Sequence, residues 1–234
     1  MKYFVFAIDD GTIYDTKVIE IFDRYNIRAT FNLNSGLQDF VWYKEDLPVR
    51  RLDLYKYKDI YNNHEVASHS LTHPYLTNMS DDEVYHEVKE DVDNIERIFD
   101  RKVTSFSFPF DGFDERTINI IKGVGISNII LPEIDDSFKF PSDLLHIRVT
   151  SWNIDDALEK VDRFIKDKNA ELFVHLSHSY DYEFDHSYDK LEKLCRLVTS
   201  QEDIKIITIC AFSYIDIPFY IFKPAVPKPL TMYF

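Results

Sequence analysis

The chain is 234 residues long, 45% hydrophobic and 15% aromatic, which is enough apolar material for one sizeable core and too much for a disordered or fibrous chain. With 41 acidic residues against 27 Lys and Arg, its formal charge is −14; this repels nucleic-acid phosphates and anionic membrane surfaces and argues against both as partners. Only 5 glycines are present, and neither GxGxxG nor GxxxxGK[ST] occurs, so nucleotide chemistry built on a glycine-rich phosphate cradle has no support.

The apolar start meets Asp9-Asp10 after about six apolar residues, too short for a signal-peptide core or a membrane span, so a soluble, cytoplasmic protein is expected. Apolar β-rich runs then alternate with amphipathic ones. In chain order they predict a strand over residues 3–8, a helix over 16–25 and strands over 29–33 and 65–68. The clearest helix follows over 81–99, where Val84, Val88, Val92, Ile95 and Phe99 form one stripe and Ser80 with Glu83 supplies a capping box. Beyond it come a strand at 104–108, a helix at 116–124, strands at 127–131 and 145–149, a helix at 157–168, a strand at 172–176, a helix at 190–200 and a strand at 204–209. Parallel strands linked by crossover helices are the expected α/β architecture. The stretch 42–61, with Trp42, Tyr43, Tyr55, Tyr57 and Tyr61 among charges, predicts a helix-plus-loop excursion, the alternative being an aromatic wall for a sugar. No linker or repeat divides the chain, so one domain is expected over residues 1–222, with a Pro-rich tail over 223–234. Cys195 and Cys210 form no CxxC pair and read as small core residues.

In such an architecture polar residues just after strands gather on one face. Four segments qualify. Asp9-Asp10-Gly11 leaves the first strand, and two adjacent residues point opposite ways and can divide two duties. His69 and His73, four apart, fall on the same side of a helical turn and can reach one divalent ion; a carboxylate from Asp9 or Asp10 would complete a two-histidine, one-carboxylate set with open positions. Ser107-Phe108-Pro109-Phe110-Asp111-Gly112 is a strand broken at Pro and then a turn. In the last segment Leu172, Val174, Leu176 and His178 share one strand face, which puts His178 at the end of an apolar row while His175 points the other way.

In content and order these four segments resemble the polysaccharide deacetylases of the NodB-homology type, carbohydrate esterase family 4, over nearly the whole chain. Ala7-Ile8-Asp9-Asp10-Gly11 is similar to the family's TFDDG motif, His69-Ser70-Leu71-Thr72-His73 to its H[ST]xxH motif, residues 107–112 to its RxPxG-type motif and Leu176-Ser177-His178 to its LxH motif. The resemblance implies a distorted (β/α) barrel with about seven β/α units, and metal-dependent hydrolysis of N-acetyl or O-acetyl groups on an acetylated sugar or polysaccharide. It implies one divalent ion, zinc foremost with Co, Ni, Mn or Fe as alternatives, held by Asp10, His69 and His73, with Asp9 as general base and His178 as general acid. Phe108, Pro109, Phe110 and Trp152 are then expected to bind substrate, the Phe110 backbone N–H facing the oxyanion. The family's third motif usually opens with an Arg that pairs with the catalytic Asp; here Ser107 stands in its place, which predicts a less restrained Asp9 with a raised pKa, and Arg148 is the expected substitute. Hydrolysis of a cyclic amide or ureide, and a catalytically weak sugar-binding domain, are the alternative readings.

Overall fold

The computed structural model describes residues 1–215; the tail expected over 223–234 lies outside the described residues. All eight expected strands form, as β1 (Lys2–Asp9), β2 (Thr30–Leu33), β5 (Glu65–Ser68), β6 (Ser105–Ser107), β7 (Asn128–Ile134), β8 (Ile147–Val149), β9 (Leu172–His178) and β10 (Ile204–Ile206). The helices α1 (Asp15–Arg24), α3 (Asp81–Phe99), α4 (Glu115–Gly123), α5 (Ile154–Lys166) and α7 (Tyr188–Thr199) lie between them. Residues 41–50 depart from expectation. They form a hairpin, β3 (Val41–Lys44) and β4 (Leu47–Arg50), followed by a single helical turn, α2 (Leu54–Tyr57). Its two-residue turn is Glu45-Asp46 with Glu45 at φ 50°, so the Asn-Gly or Gly signal that marks such turns is missing from the sequence. A further short helix, α6 (Ser179–Phe184), follows β9 directly.

Every pairing in the main sheet is parallel, in the order β10-β1-β2-β5-β6-β7-β8, with β9 on the far edge of β1. The upper half of β1 pairs β2 through Ala7 to Asp9, while Lys2 to Phe4 at its base pair β10. A bridge between Ser151 and His175, with Thr150 N–H donating to the Val174 carbonyl at 2.8 Å, joins β8 to β9 and nearly closes the barrel. The molecule is thus a distorted (β/α) barrel of the NodB type.

Period-two alternation separates two cores. Phe4, Phe6 and Ile8 of β1 and Phe173 of β9 face the helices, where Phe4 stacks on Phe173 at 4.7 Å. Val5, Ala7, Leu172, Val174 and Leu176 face the barrel interior. Fully burying one such side chain contributes about 1.5–3 kcal/mol, which is what fixes the register of β1 against β9. That register opposes Asp9 to His178 on one side and to Asn32 on the other. His175, on the helix side, is fully buried between Ser151 Oγ and Tyr182 Oη, each at 2.9 Å. In α3 the Ser80–Glu83 capping box forms, and Val84, Val88, Val92 and Ile95 are buried along the stripe. No helix of the described residues is long and apolar enough to cross a membrane.

Beneath the rim, the fully buried Asp15 accepts from Tyr61 Oη at 2.7 Å and from Ser179 Oγ, tying α1 to the start of α6. Burial, only partly offset by those hydrogen bonds, pushes its carboxyl from 3.8 up to about 7. Between these values the folded chain holds a proton that the unfolded chain has released, so this residue's contribution is full below pH 3.8 and is lost as pH rises through about 7. Urea unfolding at a series of pH values should show Asp15→Asn losing less stability than the native chain across that window; parallel curves would refute the linkage.

Candidate metal centre and active-site cleft

After β1 the backbone turns left-handed at Asp10 (φ 87°) and Gly11 (φ 62°), which swings two consecutive carboxylates into the C-terminal mouth of the barrel. Glycine suits position 11, where a side chain would be strained at this φ and its Cβ would press within 2.9 Å of Leu33 Cδ2. Asp9 accepts from Asn32 Nδ2 at 2.6 Å and from Ser107 Oγ at 3.2 Å. These are neutral donors. Burial therefore prevails, opposed chiefly by the nearby His178 charge, and Asp9 is pushed up to about 6. Asp10 goes the other way: burial would raise it, but the Arg51 guanidinium, 2.7 Å from Oδ1, together with three histidines holds its carboxyl well below the usual range.

His69 and His73 sit on a loop, not on the helical turn that their spacing predicts. Ser70 (φ 65°) and His73 (φ 59°) are both left-handed, and the two imidazole centroids lie 4.8 Å apart. His69 Nδ1 donates to the Ser107 carbonyl at 2.8 Å, which leaves Nε2 with a free lone pair 3.6 Å from Asp10 Oδ1. His73 Nε2 is 3.4 Å from the same oxygen. Burial brings both histidines down to about 4, so they are neutral and able to ligate near neutral pH. The loop is braced from beneath. Asn34 Nδ2 donates to the carbonyls of His69 at 2.5 Å and Ser70 at 2.7 Å, Glu87 accepts from Thr72 N–H at 2.9 Å and Oγ1 at 2.7 Å, and Asp91 accepts from Ser68 Oγ at 2.6 Å.

One ligand atom from each of Asp10, His69 and His73 lies within 4.8 Å of the other two. Among the described residues Asp10 Oδ1 is buried and makes no hydrogen bond, although Nε2 of His69 and of His73 and the Arg51 guanidinium all lie within 3.6 Å of it. A buried carboxylate oxygen so placed fits a divalent cation.

Beside Asp9 on the neighbouring strand β9, His178 Nδ1 donates to Asp181 Oδ2 at 3.0 Å. Burial alone would lower this imidazole, but the Asp181 hydrogen bond and the charges of Asp10 and Asp9 outweigh it and raise His178 to about 9. Both Asp9 and His178 open onto a cleft of about 800 Å³, whose walls include Phe108, Phe110, Trp152 and Trp42. Pro109 is not among the described residues that line it. Phe110 is left-handed (φ 58°) and stacks on Tyr75 at 4.0 Å. Trp152 also packs against the barrel-interior core.

Arg148 does not substitute for the missing Arg: it pairs with Glu133 at 2.7 Å on the surface, because the even–odd alternation of β8 turns it away from the interior. The arginine present in the site is Arg51, just after β4, and it holds Asp10 and Asn34 rather than Asp9. Sequence reasoning missed it together with the hairpin that carries it. The braces Glu87 and Asp91 were also missed; the signal for them was a pair of acids at i and i+4 beside the apolar stripe of α3. Of the aromatic residues in 42–61, Trp42 lines the cleft while Tyr43 and Tyr55 are exposed away from it.

A nearly closed parallel barrel carries an acidic pair, an HxxxH loop and a strand-end histidine at its C-terminal mouth, the arrangement expected of a polysaccharide deacetylase. The family model described as Polysaccharide deacetylase matches residues 1–129, and the chain belongs to that family. No curated protein matches it in sequence. Among solved structures it is similar to the Xyl-CE4 domain of a multidomain xylanase from the hindgut metagenome of Trinervitermes trinervoides (19% identity, 91% of this chain and 90% of that one, TM-score 0.63). A family 4 acetyl xylan esterase from Clostridium thermocellum in complex with a cobalt ion matches at 16% identity over 91% of each chain, TM-score 0.63. A mutant CE4 family pseudoenzyme with restored enzymatic activity matches at 21% identity, TM-score 0.62, over 89% of this chain; the wild-type pseudoenzyme is from Bacillus anthracis. This chain spans 66% of that mutant's length. At these identities the likenesses are of fold.

Proposed function

We propose that this chain is a divalent-metal-dependent deacetylase that removes an N-acetyl or O-acetyl group from an acetylated sugar or glycan. The observation that carries the reading is the convergence of Asp9 and His178, two groups shifted to about 6 and about 9, on the same cleft as the Asp10, His69 and His73 cluster. Asp10, His69 and His73 would hold the ion, zinc foremost, which when bound would lower the pKa of water and polarise the acetyl carbonyl. Asp9, ionised above pH 6, takes the proton of the attacking water at its carboxylate. The Phe110 backbone N–H faces the oxyanion as the tetrahedral carbon forms. His178 then gives its imidazolium proton to the leaving nitrogen or oxygen as the C–N or C–O bond breaks, releasing acetate and the free amine or hydroxyl. Phe110 and Trp152 offer apolar faces on which a sugar ring stacks, with Phe108 buried in the cleft wall. The net charge of −14 favours a neutral or cationic glycan over a polyanion.

Purified protein should carry about one divalent ion per chain and release acetate from at least one of chito-oligosaccharides, acetylxylan and peptidoglycan fragments. Turnover of allantoin without acetate release from the panel would replace this reading with hydrolysis of a cyclic ureide. Sugar affinity without any product would replace it with a binding domain.

A further inference from the structure

The β3–β4 hairpin is the part of the fold that the family motifs do not touch, yet it reaches both halves of the site. Along β3 the side chains alternate, and Trp42 and Lys44 share the half-buried face while Val41 and Tyr43 share the exposed one. The half-buried face meets the segment after β9. Trp42 packs edge-on against Tyr180 at 5.2 Å, and Tyr180 stacks on the His178 imidazole at 4.9 Å. Lys44 Nζ lies 2.6 Å from Asp181 Oδ1, and the other oxygen of that carboxylate accepts from His178 Nδ1. The hairpin ammonium is also 4.4 Å from the Phe184 ring. Two independent contacts from one strand face thus end on one imidazole.

We propose that Lys44 is a positioning residue for His178: it fixes the Asp181 carboxylate, and through it the ring orientation and the Nδ1–H tautomer, so that Nε2 faces the cleft. The inference rests on the reading of His178 as the proton donor. Lys44 sets charge as well as geometry, because Asp181 shared with an ammonium is a weaker partner for an imidazolium than Asp181 alone. The groups facing His178 are Asp181 and Tyr180 from its own segment, Asp9 and Asp10 from β1, His69 from the loop after β5, and Lys44 from the hairpin by way of Asp181. None of the others comes from an element that a hairpin substitution removes.

The test is the titration of the His178 imidazole, followed by NMR in the full chain and needing no substrate. Lys44→Met removes a like charge and should move the titration to higher pH, whereas Asp181→Asn removes the counter-charge and should move it to lower pH. Loss of structure alone gives no such opposition of sign. In the metal-loaded protein Lys44→Met should lower kcat about tenfold with KM little changed, and Lys44→Arg should restore most of it. A Lys44→Met protein with native titration and native kcat, beside an inactive His178→Gln, would overturn the inference and leave the deacetylase reading standing. A fully active His178→Gln would remove the proton-donor assignment, and this inference with it.

Discussion

His69→Ala is expected to cost at least about a hundredfold in divalent-metal affinity and to abolish turnover. The argument is one of donor count. Asp10, His69 and His73 offer one ligand atom each within 4.8 Å, and with His69 gone only a carboxylate and one imidazole are left. Two such ligands do not compete with the Arg51 guanidinium that already stands 2.7 Å from Asp10 Oδ1. The lone imidazole and the ion pair would then satisfy the carboxylate without a metal. His86→Ala is the matched control: His86 lies on the exposed face of α3, paired with Glu90 at 3.0 Å, and its loss should leave metal content unchanged. Elemental analysis after dialysis separates the two, and about one ion per chain retained in His69→Ala would show that the cluster does not hold the metal.

The barrel was legible because its signals are local and repeated. Period two in β1 and β9, and the 3.6-residue stripe of α3, each state which face is buried, and burial then fixes register. Asp9, Asp10, His69, His73 and His178 could be found from strand ends and motif order, and their mutual placement follows from that register: Asp9 opposes both Asn32 and His178. What could not be read has a different physical origin. The β3–β4 hairpin turns at Glu45-Asp46 without a glycine, so the alternation of Val41 to Lys44 stood without its bracketing turn. Arg51 and Lys44 went with it, since long-range ion pairs between residues 41 and 137 positions apart leave no trace in spacing. Arg148 looked suitable only because strand ends gather; its parity in β8 sends it outward. The HxxxH spacing anticipated two imidazoles side by side, but on a different backbone from the one expected. Two left-handed residues, not a helical turn, bring the rings together.

Asp9→Asn is expected to lower kcat by about 10²–10⁴ while metal content and KM stay near native values. The substitution is nearly isosteric, and its surroundings can accept it. Asn32 Nδ2 still finds an oxygen to donate to, and Ser107 Oγ, which donates to the carboxylate at 3.2 Å, can turn and accept from the new amide. What disappears is basicity. The native carboxyl sits at about 6 because burial raises it, opposed chiefly by the His178 charge, and no arginine among the described residues pairs with it: Arg51 pairs with Asp10, and Arg148 with Glu133. A base near 6 is ionised at neutral pH yet strong enough to take a proton from an activated water, which an ordinary solvated Asp near 3.9 would do less well. On the proposed reading, Ser107 in place of an arginine would tune the base instead of disabling it. Ser107→Arg would test that directly, by adding the charge and lowering the Asp9 pKa. If Asp9→Asn turned over at the native rate, Asp111, the third carboxylate lining the cleft, would have to take the proton, and Asp111→Asn would then carry the loss.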